Sequence, residues 1–354
     1  MEDLINQFLT NSHIIVPIIA LLVSLYTVGK GADILVDNAV SLSLQWGVPK
    51  MILGATLVSL GTTVPEASVS VAAAIQGNPD LSLGNAIGSI IVDTGLIIGI
   101  ASLIGTIPID KMLVKRQGRL QFIFALMLAI VCLPVFTGGS EGRIYQWIGF
   151  IFVFFLCLYM YLSFRWAKSS VGSNAQGDKE NSFDDEDDKS KKTWKDSWML
   201  KLILMFMGIA VVVVSSKILI PSVAIVAESI GIPQSIIAAT LVAFGTSVPE
   251  LVTAITSVRK GAGELAIGNV VGADILNVLF VLGLSAAVTK DGIKVPFYFY
   301  YIQIPAMLAI LLVFRLTCVF KKDKIGKLGG AILFGTYIVY LTLNFVFKGV
   351  VSKP

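Results

Sequence analysis

Two stretches of the chain, GTTVPE at residues 61–66 and GTSVPE at residues 245–250, place a proline and a glutamate inside runs that otherwise read as lipid-buried helix. The segments around them also match without a gap. GATLVSLGTTVPEASVSVAAAIQGNPDLSLGNAIGSIIVDTGLIIG (54–99) aligns with AATLVAFGTSVPELVTAITSVRKGAGELAIGNVVGADILNVLFVLG (238–283), at an offset of 250 − 66 = 184 residues. A repeat of this length predicts a protein built from two related halves.

The composition indicates that the chain folds in a membrane. Of its 354 residues, 55% are hydrophobic and 14% are charged, and the charges cluster between long uncharged runs. A helix needs roughly 20 apolar residues to cross about 30 Å of hydrocarbon. We therefore predict an all-α integral membrane protein with about ten transmembrane helices, near residues 14–29, 51–75, 81–109, 120–136, 144–164, 198–227, 233–258, 265–288, 295–314 and 328–347.

The repeat and the span count together predict the architecture. Five spans fall in each half, and because five is odd, the second half must enter the membrane from the opposite side. The result is a pair of inverted repeats, an arrangement typical of secondary transporters that bind their substrate at the repeat interface. The predicted units are a first five-helix repeat (1–168), an acidic linker (169–196) and a second, inverted five-helix repeat (197–354).

Basic residues predict the orientation in the membrane. They concentrate in alternate loops, which should therefore be cytoplasmic, and the linker lies among these loops. Both termini are then extracytoplasmic. The linker contains the acidic run DDEDD but lacks the spaced ligands and turn glycine of a calcium-binding EF-hand loop. It is expected to be a polar connection, with a loosely Ca²⁺-binding sensor as the alternative.

The two prolines should free backbone oxygens. Pro65 has no N–H to offer, so the carbonyl of Gly61 loses its helical partner, and the same holds for Pro249 and Gly245. An unpaired carbonyl in lipid costs several kcal/mol, so such backbone must be buried in protein and served by water, side chains or an ion. A hard cation is a suitable partner for such an oxygen.

Each copy adds a carboxylate and hydroxyl groups on the same helix face. Glu66 and Glu250 directly follow the prolines, one turn after Thr62, Thr63, Thr246 and Ser247. The next span of the first copy carries Asn85, Ser89 and Asp93 at helical spacing, and their counterparts are Asn269, Ala273 and Asn277. These oxygens predict a cage suited to Ca²⁺, which takes about six to eight oxygen ligands. Two glutamates would neutralise one such ion.

Other interpretations of the polar residues remain open. A protonated glutamate that only hydrogen-bonds between helices, beside a proline kink, is the structural alternative, although the duplication argues against it. Asp274 aligns with Ile90, and it is expected either to hydrogen-bond to a ligand or to bind the cation itself. Lys30, Asp33 and Asp37 are expected to form a paired or snorkelling cluster at a helix end.

The paired GT(T/S)VPE and GN(A/V)(I/V)G motifs resemble the repeats of the calcium:cation antiporter superfamily, specifically prokaryotic sodium/calcium exchangers. The resemblance implies a central cluster of sites in which Glu66 and Glu250 bind Ca²⁺ or Na⁺. It implies hydroxyl ligands at Thr62, Thr63, Thr246, Ser247 and Ser89, and backbone carbonyl ligands at Ser59 and Ala243. It also implies that the first and sixth spans slide as a pair to alternate access to the sites.

The chain departs from that family pattern at three positions. Asn is usual where this chain has Asp93, and Asp is usual where it has Asn277, so a charge has moved from one half to the other. Ala273 stands where a serine is usual, which removes one hydroxyl ligand. Both Asp93 and Asn277 remain predicted cation ligands, and the retained Asp favours Na⁺ over H⁺ coupling.

The predicted function is that of a secondary active antiporter, not an enzyme, which moves Ca²⁺ outward while Na⁺ enters. No cofactor, nucleic acid or obligate protein partner is expected, and the surroundings are the lipid bilayer of a prokaryotic inner membrane. The alternatives are a Ca²⁺/H⁺ antiporter, a K⁺-dependent Na⁺/Ca²⁺ exchanger and, from another class, a non-transporting membrane Ca²⁺ sensor.

Overall fold

Long helices make up nearly all of the described chain. A computed structural model describes residues 2–109, 111–134, 141–177, 197–230, 245–320 and 324–351. The helices are α1 (Glu2–Asn11), α2 (Ile15–Trp46), α3 (Lys50–Ile75), α4 (Pro79–Ile91, continued by Val92–Ile97 and Ile98–Ile104), α5 (Lys111–Val131), α6 (Gln146–Gly177), α7 (Trp198–Ser229), α8 (Val248–Arg259), α9 (Gly263–Val288), α10 (Phe299–Phe320) and α11 (Lys327–Val351).

Seven of the described helices are long and apolar enough to cross a membrane, namely α2, α3, α4, α6, α7, α9 and α10. The other three predicted spans overlap with α5, α8 and α11. Helix α8 begins at Val248, within its predicted span, and residues 231–244 lie outside the described part of the chain. The prediction of an all-α membrane protein is thus confirmed, and the helix count agrees with about ten spans.

Helix bounds recur at the offset found in the sequence. Helices α2 and α7 each have 32 residues, and the end of α4 at Ile104 corresponds to the end of α9 at Val288, since 104 + 184 = 288. The limits of the two repeats, their opposite orientation across the membrane and the linker at 169–196 stay predictions. Most of that linker, residues 178–196, lies outside the described residues.

Helices α2 and α7 form a long pair at the edge of the molecule. They are in close backbone contact, because a Cβ atom on Gly208 would lie 2.7 Å from the backbone nitrogen of Leu35. Many of their other side chains are exposed. At about 1.5 Å per residue each helix is about 48 Å long, more than a perpendicular span requires.

The first span is longer than the sequence predicts. The apolar run ends near residue 29, but α2 continues to Trp46. The expectation of a charged cluster at a helix end is therefore wrong, because Asp33 and Asp37 lie within α2. Both carboxylates pair with Lys260 in the loop between α8 and α9, at 3.0 and 2.8 Å from its Nζ atom. These contacts allow the helix to continue through a charged stretch.

Helix α9 lies at the centre of the fold and is almost wholly buried. Glycine permits its contact with α3: a Cβ atom on Gly268 would overlap the carbonyl of Met51, and one on Gly272 would lie 2.6 Å from the Cα atom of Ala55. Helix α3 has a wider π-helical turn at Gly54–Val58 in this region. The Ala55 carbonyl within that turn accepts a 2.9 Å hydrogen bond from the Tyr159 hydroxyl of α6.

Four short strands in the described part of the chain, which the sequence does not predict, join loops of the two halves. Strands β1 (Ile107–Pro108) and β4 (Lys324–Ile325) pair antiparallel, as do β2 (Gly142–Ile144) and β3 (Ile293–Val295). Each pair takes one strand from each half of the sequence. The strands are two or three residues long, so the fold remains helical in class.

Candidate cation-binding site

The two copies of the motif differ in local backbone structure. In the first copy, the α-helix Ser59–Ile75 runs without interruption through Pro65. The widened turn of α3 lies earlier, at Gly54–Val58, and does not include Gly61. In the second copy, α8 begins at Val248, and Pro249 occupies its first turn. There, the missing N–H of proline breaks no bond within α8.

The predicted ligands are brought together in the protein interior by four helices. Helix α3 supplies Glu66 and the hydroxyls before it, α4 and α9 supply the polar positions of the following spans, and α8 supplies Glu250. Nine predicted residues are at most 1% exposed, namely Ser59, Thr62, Thr63, Glu66, Ser89, Asp93, Ser247, Glu250 and Asn277. Thr246 is half-buried, and Ala243 lies outside the described residues.

Two hydroxyl groups hold the Glu66 carboxylate. Its Oε1 atom accepts a hydrogen bond of 2.7 Å from Ser89 and one of 3.2 Å from Ser247. Ser89 belongs to the same half of the chain and Ser247 to the other half. Only one oxygen of this carboxylate is satisfied, because Oε2 is buried and has no hydrogen-bond partner.

Two threonine–asparagine pairs connect the halves symmetrically. The Thr62 hydroxyl donates to the Asn269 side-chain oxygen at 3.3 Å, and the Thr246 hydroxyl donates to that of Asn85 at 3.2 Å. Both pairs are related by the 184-residue offset, since 62 + 184 = 246 and 85 + 184 = 269. Each motif glutamate therefore lies beside a polar contact between repeats, as expected for a site at the repeat interface.

The Ser59 carbonyl, a predicted backbone ligand, accepts a hydrogen bond of 3.3 Å from the Thr62 hydroxyl. The Ser59 hydroxyl in turn donates to the Thr56 carbonyl at 3.2 Å. Both oxygens thus belong to a chain of contacts along the inner face of α3. This arrangement fixes the side chains of α3 that face α9.

The second glutamate has no such partners. Both oxygens of Glu250 are buried without a hydrogen bond, as are both oxygens of Asp93 and the side-chain amide of Asn277. Ala273 occupies the position that corresponds to Ser89 and has no hydroxyl to donate. The Thr63 hydroxyl, which corresponds to Ser247, is buried and also unpartnered.

These unpartnered oxygens match the needs of a hard cation. A buried carboxylate without a partner is costly, and none of Glu66, Asp93 and Glu250 forms an ion pair with a described basic residue. Their mutual charges are repulsive, because Glu66 and Glu250 both lie within electrostatic range of Asp93. A bound cation would relieve both costs.

Carboxylates alone do not complete a site. Among the described residues, no group of three or more His, Cys, Asp or Glu side chains is arranged to hold a metal ion. Ca²⁺ takes about six to eight oxygens from carboxylates, carbonyls, hydroxyls and water. The hydroxyl and amide oxygens of Thr62, Thr63, Ser247 and Asn277 are therefore needed beside the carboxylates.

A further buried carboxylate lies outside the predicted set. Asp274 accepts hydrogen bonds through Oδ2 from Thr94 of α4 and Gln121 of α5, each at 2.5 Å. The sequence left open whether Asp274 is a ligand, and it did not point to Thr94 or Gln121. The sequence signal for Gln121 is weak: it lies at the start of an apolar run, four residues after a second glutamine, Gln117.

The fold and the site define a helical membrane protein with several spans, in which two related halves enclose buried carboxylates. A family model described as "Sodium/calcium exchanger protein" matches residues 16–165 and 200–346. The chain belongs to the sodium/calcium exchanger family. The antiporter family predicted from the paired motifs and the helical membrane fold predicted from the apolar runs are thus confirmed.

Individual relatives cover almost the whole chain. "Inner membrane protein YrbG" of Escherichia coli is 31% identical over 91% of this chain and 95% of its own length. "Sodium/calcium exchanger MaX1" of Methanosarcina acetivorans is 28% identical over 94% of this chain and 99% of its own length. A solved structure of the sodium-calcium exchanger NCX_Mj matches 93% of this chain and 99% of that chain, with a TM-score of 0.74 at 24% identity, and shows the same fold.

Proposed function

We propose that this protein is a secondary antiporter that exports Ca²⁺ in exchange for entering Na⁺, by alternating access to a central carboxylate cage. The observation that carries the proposal is the set of buried, unpartnered carboxylate oxygens on Glu66, Asp93 and Glu250. The archaeal relative that is named a sodium/calcium exchanger supports the choice of ions.

In this proposal the cage is formed by both halves. Its ligands are the carboxylates, hydroxyls, amide and backbone carbonyls of Glu66, Glu250, Asp93, Asn277, Thr62, Thr63, Thr246, Ser247, Ser89, Ser59 and Ala243. Hydroxyl and amide oxygens suit both Ca²⁺ and Na⁺, because both are hard cations. The buried carboxylates of the cage provide charge for one divalent ion or for more than one monovalent ion.

Exchange follows from competition for the same carboxylates. Ca²⁺ and Na⁺ would not occupy the Glu66 and Glu250 oxygens together, so one ion must leave before the other binds. An empty cage would carry several uncompensated charges, which disfavours its passage through an occluded state. Each ion shifts the access equilibrium only by its differential affinity for the two states.

The direction of transport follows from the proposed setting. We place the protein in a prokaryotic cell membrane, with both termini outside and the linker of residues 169–196 in the cytoplasm. Na⁺ entering down its electrochemical gradient would then drive Ca²⁺ out. Helices α2 and α7, a tightly packed pair with exposed outer faces, are the elements that we propose to slide between the two access states.

Uptake of ⁴⁵Ca²⁺ into Na⁺-loaded proteoliposomes tests the proposal. The wild type should take up Ca²⁺ only with internal Na⁺, and both Glu66→Gln and Glu250→Gln should lose at least about 100-fold of the initial rate because each removes a central charge. Glu264→Gln is the matched control, since Glu264 lies in the first turn of α9 and is not among the proposed ligands. It should transport like the wild type.

The same assay separates the alternatives. Uptake that follows a pH gradient without Na⁺ would assign the protein to Ca²⁺/H⁺ exchange. No Ca²⁺ flux under either gradient would overturn the proposal and favour a sensor or another ion. Deletion of residues 175–190 should leave transport largely intact, whereas a linker-based sensor would lose its Ca²⁺ response.

A further inference from the structure

Asp274 is a buried acid that the proposed cage does not use. It lies on α9, three residues before Asn277, and is 2% exposed. Its Oδ2 atom accepts both available hydrogen bonds, from the Thr94 hydroxyl and the Gln121 amide. Its Oδ1 atom is buried and has no partner.

Side chains from three helices meet at this carboxylate. Thr94 lies in the π-helical segment Val92–Ile97 of α4, and Gln121 comes from α5. The Gln121 amide also reaches the Thr94 hydroxyl at 3.4 Å, so the three side chains contact one another. All three are at most 4% exposed. Segments of π-helix inside α-helices frequently occur at functional sites.

A second buried amide lies nearby on α5. Gln117 lies one turn before Gln121, on the same helix face. It is fully buried, and neither its amide nitrogen nor its amide oxygen has a hydrogen-bond partner. Gln117 thus adds an unpartnered amide to the buried side of α5.

The two hydrogen bonds to Asp274 do not require its negative charge. An asparagine carbonyl could accept from Thr94 and Gln121 equally well without a charge in the membrane interior. Within the described chain no basic side chain pairs with Asp274, and Glu66 is close enough to repel it. A charge that is buried, unpaired and repelled calls for a counter-ion.

The donor set selects the class of ion. The Asp274 carboxylate with the neutral oxygen of the Thr94 hydroxyl offers a single negative charge, whereas divalent ions usually bind to more acidic sites. A monovalent cation matches this charge. Nitrogen and sulfur ligands, which transition metals prefer, do not occur among the three side chains.

We propose that the Asp274 Oδ1 atom and the Thr94 hydroxyl oxygen form a monovalent-cation site beside the central cage, occupied by Na⁺ or K⁺, and that Gln121 holds the carboxylate in place through Oδ2. As an auxiliary site of transport, it rests on the proposed exchange function, although its occupancy is measurable without transport. The cation neutralises the fourth buried carboxylate, so Ca²⁺ exchange acquires a requirement for this ion in addition to the ions bound by the cage.

Equilibrium binding of ²²Na⁺ and ⁸⁶Rb⁺, the latter as the K⁺ tracer, tests the site in purified full-length protein. The background is Glu66→Gln with Glu250→Gln, which weakens monovalent binding in the cage. One of the two tracers should bind at about one ion per chain, and adding Asp274→Asn should abolish this binding. Ser285→Ala should keep it, because Ser285 is a buried hydroxyl on α9 that bonds only to its own helix.

Thr94→Val provides a second, milder variant in the same background. It removes one hydroxyl that holds Asp274, so tracer affinity should fall about tenfold while the protein elutes as a monodisperse peak. Binding of neither tracer in the parent background would overturn the proposal and indicate a proton-bearing Asp274. Equal binding with and without Asp274→Asn would also overturn it.

Transport in otherwise wild-type protein identifies the ion. If the site takes K⁺, replacing choline with K⁺ should accelerate Ca²⁺ uptake in the wild type but not in Asp274→Asn. If it takes Na⁺, K⁺ should have no effect, and the variant should show a less steep Na⁺ dependence. Asp274→Asn could remove the dependence of transport on Na⁺ or K⁺ while Glu66→Gln and Glu250→Gln still transport Ca²⁺. That result would support this site and contradict the proposed cage.

Discussion

Glu66 and Glu250 occupy equivalent positions in the two halves of the chain, but their surroundings differ. Glu66 accepts hydrogen bonds from Ser89 and Ser247, whereas both oxygens of Glu250 are buried without a partner. Ala273 stands where the first half has Ser89, which accounts for one missing donor, and the hydroxyl of Thr63, the counterpart of Ser247, does not bond to Glu250. A cation would therefore find one unpartnered carboxylate oxygen at Glu66 and two at Glu250.

Glu66 and Glu250 thus have different roles, although the repeat suggests that they are equivalent. A carboxylate with fixed donors keeps its position when the ion leaves, whereas one without donors depends on the ion itself. The position of the Glu250 carboxylate should thus depend on a bound cation more strongly than that of Glu66 does. The following variants test this difference, beginning with the largest expected effect.

Neutralising Glu250 should stabilise the ion-free protein. Glu250→Gln removes an unpartnered charge, so the melting temperature in Na⁺-free and Ca²⁺-free buffer should rise by the equivalent of about 2 kcal/mol. Glu66→Gln should raise it less, because two hydroxyls already compensate that carboxylate. Thermal unfolding of both variants, with Glu264→Gln as the control, measures the difference. Equal shifts would show that the two glutamates are equally compensated.

Exchanging the hydroxyls between the halves should change ion affinity. Ala273→Ser supplies the donor and ligand that the second half lacks, so half-maximal Ca²⁺ uptake should need about fivefold less Na⁺. Ser89→Ala should require about fivefold more, since it makes the first half resemble the second. An unchanged Na⁺ requirement in both variants would show that this position does not contact the transported ions.

The two threonine–asparagine contacts should be nearly equivalent. Thr62→Val and Thr246→Val each remove one hydrogen bond between the repeats, of 3.3 and 3.2 Å. Each should slow initial Ca²⁺ uptake by about threefold, and the double variant should show whether the contacts act independently. A much larger effect of one variant would show that the two threonines contribute unequally to the cage.

The ion pair between Lys260 and α2 should contribute least. Partial burial disfavours the charged ammonium, but the hydrogen bonds and charges of Asp37 and Asp33 outweigh this effect and raise the pKa of Lys260 above 10.5. The pair is therefore formed at neutral pH, and its stabilisation is lost only as the pH rises through that raised pKa.

Lys260→Gln tests this contribution. Because the three side chains are partly exposed, the variant should lose less than about 1 kcal/mol of stability at pH 7, and the difference from the wild type should shrink at strongly alkaline pH. Thermal unfolding at the two pH values measures it. A loss that grows with pH would contradict this assignment of the charges.

The fold was largely predictable because membrane spans and repeats are local features of the sequence. Apolar runs located the helices, and the aligned motifs led to Glu66 and Glu250. The length of α2 was not predictable from the apolar run, because Asp33 and Asp37 interrupt it. The Lys260 side chain that pairs with them is 223 residues or more away in sequence.

Contacts between distant helices account for the remaining differences. Gln121 meets Asp274 across 153 residues, and neither belongs to a matched pair in the repeat. The short strands also depend on tertiary contact, since segments of two or three residues carry no periodic signal. Ala273 already indicated that Glu250 would lack one donor that Glu66 has. That both Glu250 oxygens are buried without a partner could be seen only in the structure.

The sequence separations within the site bear on how the protein is made. Glu66 meets Ser89 only 23 residues later, but its second donor, Ser247, follows after 181 residues, and Thr62 meets Asn269 after 207. During synthesis the first half leaves the ribosome before the second. The glutamate that enters the membrane first thus brings a hydroxyl partner of its own. The glutamate without one arrives when the other half is already in place to receive it.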